Sequence, residues 1–265
     1  MISSVDDPYQ IVLAILGASK TPTVTSRVLV RAGEILGVSP SAIRVALTRL
    51  KQRGMVNSPE RGAYVLGEKA MALEAQVARW RKRGDDATAW KGGWFAVHTG
   101  SLGRSDRAVL RCRERALRLH GFAEAVFGLE LRPNNLRGGL ERVRGTLVEL
   151  GLETDAPVFG VLDPPEPLID AALAHWNPSA LERRYTEQVR LLERAEAKMS
   201  KQGLAKAAGT AFQAGDRAIR LIVSDPLLPA EFVDQRAREE FFSATLRFDR
   251  LGHALWSQVL SEAVV

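Results

Sequence analysis

The chain has a single cysteine, Cys112, among 265 residues. One thiol cannot close an internal disulfide, and its isolation fits a reducing, cytoplasmic setting. The four histidines, His98, His120, His175 and His253, are scattered, so no Cys/His cluster has zinc-finger spacing. No apolar run approaches the length needed to cross a bilayer. The start, MISSVDDPYQ, is acidic where a secretory signal would be basic, so no leader is expected. Internal repeats, low-complexity tracts, glycine-rich phosphate loops and Ser/His/Asp sets are missing too, which leaves catalysis without a visible carrier. What remains is a globular chain with 46% hydrophobic residues, long enough for two or three domains.

Its charge is uneven. The net charge is +6, yet residues 1–83 alone hold 13 Lys and Arg against 6 Asp and Glu, a net of +7. The remaining residues hold 24 against 25, a net of −1. A positive segment joined to a neutral remainder is the pattern of a nucleic-acid module attached to a sensing or assembly module.

Within the positive segment, Pro8–Gly17 is an apolar helix and residues 18–24 read as a loop. Ser26–Leu36 carries Val28, Ala32, Ile35 and Leu36 on one face, and Gly37 stops it. Ser39-Pro40 then opens a second helix, serine as cap and proline at the first position. That helix runs to Arg53. Its spacing puts Ile43, Ala46, Leu47 and Leu50 inward, and Ser41, Arg44, Val45, Thr48 and Gln52 outward. Met55-Val56 and Tyr64–Leu66 are short strands joined by a turn through Pro59–Gly62. Helix, turn, helix and hairpin in this order make a winged helix-turn-helix, whose second helix enters the DNA major groove. Ser41, Arg44, Val45 and Thr48 are therefore the candidates for base reading, since arginine can grip guanine and valine can meet a thymine methyl. Arg49, Lys51, Arg53 and Arg61 are the candidates for phosphates. A solvated basic face on a helical hairpin is the plainer alternative.

Gly67–Arg83 reads as a linker helix built on Ala70, Leu73, Val77 and Trp80, with a hinge at Gly84–Asp86. From Trp90 the pattern changes. A strand at 93–98, a helix at 104–120, a strand pair about Gly128, a helix at 136–150 and a strand at 157–162 give the order βαββαβ. That order predicts a ferredoxin-like antiparallel sheet with its two helices on one face. Pro164–Pro167 marks a boundary, and the rest is helical: a helix capped by Asn177-Pro178, another at 204–223, a break at Asp225–Pro229, and a final helical stretch in two pieces. The expected fold is α+β and helix-rich, with a DNA-binding domain at 1–88, a ferredoxin-like domain at 89–163 and a helical domain at 164–265.

Two features of the later segments admit more than one reading. Arg104, Arg107, Arg111, Arg115 and Arg118 form a stripe, opposite Val109, Cys112, Ala116 and Leu119. It suits an anionic partner (CoA phosphates, DNA backbone or an acidic patch of a second subunit) or is a solvated face with salt bridges to Asp106 and Glu114. Cys112 on the apolar side is expected to be inert packing. Trp90, Trp94, Trp176 and Trp256 suit either a pocket for an aromatic acyl group or ordinary core. A metal-dependent nuclease is the alternative from another class. It would need carboxylates where the first strand of the ferredoxin-like domain ends, and that place reads His98-Thr99-Gly100-Ser101.

Three successive segments carry a family resemblance. They are AIRVALTRLKQRGMVNSPERGAYVL, then WKGGWFAVHTG with an Arg-rich helix, HGF and LELRPNNL, then AHWNPSALERRYTEQVRLL followed by SDPLLPAEF. In that order and spacing the chain resembles the PaaX family of bacterial transcriptional repressors. The resemblance implies a dimeric repressor of a catabolic operon, bound to double-stranded operator DNA and released by an acyl-CoA effector, phenylacetyl-CoA in the best-known members. It also implies a middle domain like the ferredoxin-fold nuclease of CRISPR arrays, without cleavage. Arg104, Arg107, Arg111, Trp94 and Trp176 are the candidates for holding that effector. Two departures stand out: the wing has one arginine, Arg61, and Val233-Asp234 follows LPAEF where a tryptophan-containing turn is expected.

Overall fold

The computed structural model describes residues 7–19, 23–71 and 79–262. Packing divides the chain into two compact units, one formed by residues 1–80, 189–219 and 243–265, the other by 81–188 and 220–242.

The first unit begins with α1 (Pro8–Ala18), capped by the Asp7 carboxylate, which accepts from Tyr9 N–H. A two-residue strand β1 (Val24–Thr25) follows in the stretch expected to be a loop. Then come α2 (Ser26–Ile35), α3 (Pro40–Gln52) and the wing strands β2 (Val56–Glu60) and β3 (Ala63–Leu66). Ser39 Oγ caps α3 as expected, accepting from Ala42 N–H, and Thr25 Oγ1 caps α2 by accepting from Val28 N–H. The three strands pair antiparallel in the order β1-β3-β2. Both wing strands are longer than the sequence suggested, so the turn shrinks to Arg61-Gly62. An extra residue in β2 between Asn57 and Glu60 makes a bulge, which is how Pro59 is tolerated without a ladder hydrogen bond.

Two glycines set close approaches here. A Cβ on Gly33 would lie 2.5 Å from the Ile43 side chain, and one on Gly67 would lie 2.3 Å from the Gly54 carbonyl oxygen. The first lets α2 cross tightly over α3. The second ties the base of the wing to the turn after α3.

The expected linker helix is described only at its two ends. Residues 68–71 are helical, Leu73 and Val77 lie outside the described residues, and Arg79–Asp86 is a 3-10 helix with Trp80 buried. The proposed hinge at Gly84–Asp86 is thus the end of that helix, and Arg83 beside it is fixed by donating to the carbonyls of Leu119 and Asp225 at 2.8 Å.

The second unit holds the βαββαβ segment: β4 (Trp94–His98), α4 (Arg107–Leu119), β5 (Ala123–Val126), β6 (Leu129–Pro133), α5 (Gly139–Leu150) and β7 (Val158–Val161). The sheet is fully antiparallel in the order β5-β6-β4-β7, as the ferredoxin-like expectation requires. On one face Phe95, Val97 and Val158 meet Ala116 and Leu117 of α4 and Val143 and Leu147 of α5. The other face is covered as well. There α6 (Glu166–Trp176) lays Leu168, Ile169 and Ala172 over Trp94, Ala96, Ala123 and Leu131.

Helices α7 (Pro178–Met199), α8 (Leu204–Val223) and α9 (Gln235–Glu262) complete the chain. The last is one continuous helix, where two pieces were expected. In the first unit, Ala208 of α8 and Trp256 and Val259 of α9 join the winged-helix core. Gly209 is what lets α8 approach, since a Cβ there would be 3.2 Å from the Ile35 carbonyl oxygen. None of the described helices is long and apolar enough to cross a membrane.

Candidate nucleic-acid interface

Helix α3 divides its residues by face. Ile43, Ala46, Leu47 and Leu50 are at most 3% exposed and sit in the core, held by Val28, Leu29 and Ala32 of α2 and Ile11, Val12 and Ile15 of α1. Burying four such side chains stabilises α3 in place by several kcal/mol, on the order of 1.5–3 for each large one. The opposite face is left in solvent: Ser41, Arg44, Val45 and Thr48, with Arg49, Lys51, Gln52 and Arg53 beyond. Val45 is 49% exposed, an apolar surface with no core to serve.

The outward side chains differ in freedom. The side chains of Arg44 and Lys51 make no hydrogen bond or ion pair to any described residue, and neither does that of Arg61 at the wing tip. Thr48 donates its hydroxyl proton to the Arg44 carbonyl at 3.0 Å, leaving the oxygen lone pairs to accept. Ser41 and Ser39 share a hydrogen bond at 3.0 Å. Arg49 donates to the Tyr9 hydroxyl at 3.0 Å, and the Arg53 guanidinium lies 5.7 Å from the centre of the Tyr9 ring. Tyr9 of α1 thus orients two of the four phosphate candidates. Its place two residues after the Asp7 cap, on a different helix from α3, gave no sequence signal for that role.

The effector candidates do not share a place. Trp94 and Trp176 lie on the α6 side of the sheet, stacked with ring centres 6.5 Å apart. Trp90 and Phe232 close the cluster at 5.1–5.8 Å. Trp256 is in the first unit, edge-on to Phe212. Arg107 and Arg111 are exposed on α4, across the sheet from those tryptophans, and Arg104 precedes the helix, because Asp106 is its N-cap. Val109 and Cys112, expected on the inner side, are exposed. Their place inside is taken by Arg113. Its guanidinium chelates both Glu153 oxygens and donates to the Gly103 carbonyl at 2.8 Å. The Glu153 hydrogen bond raises the Arg113 pKa, and the reciprocal bond lowers that of Glu153.

The second unit also contains a buried polar network around Asp225–Pro229. Arg132 donates to the His120 carbonyl and to Asn135 Oδ1, and Asn135 donates to the Leu227 carbonyl at 2.7 Å. Tyr185 donates to Asp225 Oδ2, while Asp225 Oδ1 accepts from Leu227 N–H at 2.7 Å. Leu227 is held at φ +52°, a left-handed conformation that these bonds fix. Burial lowers Arg132 to about 9 and, with Arg132, Arg83 and Arg142 nearby, His120 to about 3, so the imidazole is neutral. Glu130 is raised to about 7 by burial and by Glu124, its cross-strand neighbour, and Glu114. Where β4 ends, His98-Thr99-Gly100 offers no carboxylate, and among the described residues no group of three or more His, Cys, Asp or Glu could hold a metal.

Comparison with known proteins finds one family model that matches part of the first unit. The model of the PaaX-like protein family matches residues 10–70. Among solved structures, the uncharacterized protein Rv0674 from Mycobacterium tuberculosis superposes with a TM-score of 0.65, covering 97% of this chain and 98% of its own at 18% identity. That likeness shows a shared fold over the full length. No curated protein matches in sequence.

Proposed function

We propose that this protein is a DNA-binding transcriptional regulator of the PaaX type, a repressor of a catabolic operon that an acyl-CoA effector releases. The observation that carries the reading is the two-sided α3. Its inner residues are locked into a winged-helix core, while Ser41, Arg44, Val45 and Thr48 stand in solvent. The family match over residues 10–70 falls on the same segment. In this reading those four residues read base edges in the major groove. Arg49, Lys51, Arg53 and Arg61 hold phosphates, two of them oriented by Tyr9. A homodimer would present two α3 helices to a two-fold operator, and the effector would favour a dimer whose helices miss successive grooves. Residues 1–88 are then the DNA-binding domain, with the ferredoxin-like and helical segments as the sensing and assembly part.

The test is a mobility shift on the region upstream of the protein's own coding sequence, titrated with a panel of acyl-CoA thioesters. A retarded band abolished by one thioester is the expected result. A chain that shifts no duplex rejects DNA binding, and a shift insensitive to every thioester rejects the effector class.

A further inference from the structure

The arginine stripe of α4 is left unused by that reading. Arg107, Arg111, Arg115 and Arg118 are exposed, and none of their side chains makes a hydrogen bond or ion pair to a described residue. The salt bridges to Asp106 and Glu114 that would make the stripe an ordinary solvated face are not formed. Asp106 spends its carboxylate on Ala108 and Val109 N–H at the helix start. Glu114, the one acid on α4, is coupled electrostatically to Glu130 and to the inward Arg113. Sequence alone does not separate these arginines from Arg113, but the structure does: the paired arginine faces in and the unpaired ones face out. Just before the helix, the Arg104 guanidinium lies 4.7 Å over the ring of Phe127, which is 69% exposed in the β5–β6 turn.

From Arg107 to Arg118 the stripe runs about 16 Å along the helix axis, a length over which duplex DNA carries on the order of ten charges. A straight row of free guanidinium groups on a convex helix suits an extended polyanion. A small ligand such as a CoA thioester needs a concave site that buries it. We infer that this face of α4 is a second, sequence-independent contact for the backbone of duplex DNA. The inference rests on the reading above only in taking duplex DNA as the polyanion; the row of unpaired charge stands without it.

The experiment is fluorescence anisotropy of the full chain on a random-sequence duplex of about 40 base pairs, over roughly 50–200 mM salt. Three variants are compared with the parent chain. One carries Arg107→Gln, Arg111→Gln, Arg115→Gln and Arg118→Gln. The second has the same positions changed to Lys, and the third carries Arg44→Ala with Lys51→Ala. Each phosphate contact contributes about 0.9 to the slope of log affinity against log salt, so the Gln variant should lose about 2–4 from that slope. The Lys variant, with its charge intact, should keep the slope. A Gln variant with the parent's slope and affinity overturns the inference, as it would if the stripe served an acidic protein instead. A Lys variant as weak as the Gln variant overturns it too, because charge would then not be what matters. If the Arg44/Lys51 variant keeps the parent's slope while the Gln variant fails, the stripe contact stands and the phosphate role of Lys51 falls.

Discussion

Arg113 and Glu153 decide which side of α4 faces the core, and removing one of them should be costly. Arg113 is 3% exposed and Glu153 23%. Replacing Glu153 by Gln leaves a buried guanidinium without its counter-charge. Breaking a buried pair from one side costs about 3–5 kcal/mol, and the partial exposure of Glu153 moves the expectation to about 2–3. For a protein of this size each kcal/mol lowers Tm by about 2–4 °C, so a fall of roughly 5–10 °C is expected. Differential scanning calorimetry at neutral pH reads it directly. The pair also sets a pH dependence. The folded Glu153 pKa lies below its unfolded value near 4.5, so this stabilisation is present above that pH and is lost as pH falls through the folded pKa. The double variant Arg113→Met, Glu153→Leu replaces the pair by packing and should recover most of the loss. An unchanged Tm in Glu153→Gln, or a double variant as unstable as the single, would refute the view that the buried charge is the source of the cost.

Other substitutions probe the candidate interface and the sheet. Gly67→Ala should destabilise the first unit by about 1–3 kcal/mol, seen by urea denaturation, because the new methyl meets the backbone carbonyl of Gly54, which cannot rotate away. Tyr9→Phe keeps the ring under Arg53 and removes the hydroxyl that accepts from Arg49. DNA affinity should fall by about 0.5–1 kcal/mol with base preference intact, and an unchanged affinity would remove Tyr9 from the interface. His120, neutral in the folded state, binds its proton in the unfolded chain below pH about 6.5, so it drains stability as pH falls from 6.5 toward 3. His120→Asn should flatten that acid limb in a series of thermal melts. Glu130 runs the other way. Its folded pKa of about 7 exceeds the unfolded 4.5, so its cost grows as pH rises across that window, and Glu130→Gln should raise Tm above pH 7 and leave it unchanged below pH 4.5.

Which parts of this were legible in the sequence follows from how far each signal reaches along the chain. Helix α3 was legible to its faces, because a serine cap, a proline and a 3.6-residue period are all local. The βαββαβ order was legible for the same reason, strands and helices being marked by glycine and proline at their ends. The two-residue β1 was not, since so short a strand has no period and exists only through pairing with β3. The cover that α6 gives the sheet was missed because a proline cluster ahead of it reads as a boundary, while its contacts reach back to Trp94 and Leu131. The helices that finish the winged-helix core do so through Ala208 and Gly209, residues whose small size is the point and whose hydrophobic signal is weak. On α4 the reading of Arg104, Arg107, Arg111, Arg115 and Arg118 as one stripe placed Cys112 and Val109 on the opposite, inner side. Burying Arg113 against Glu153, forty residues on, turned the helix the other way. At the candidate interface, sequence pointed to Arg44, Val45 and Thr48, whereas the brace supplied by Tyr9 needed the fold.

The most direct measurement compares the parent chain with Arg44→Ala on a library of duplexes derived from the upstream region, scoring affinity and base preference together. If α3 reads the major groove, the parent selects one site and Arg44→Ala loses about 1–3 kcal/mol on it, with relaxed preference at one base pair and little change on random duplex. A parent chain with no preferred site, or an Arg44→Ala chain with the parent's affinity and the parent's choice of base, would contradict it.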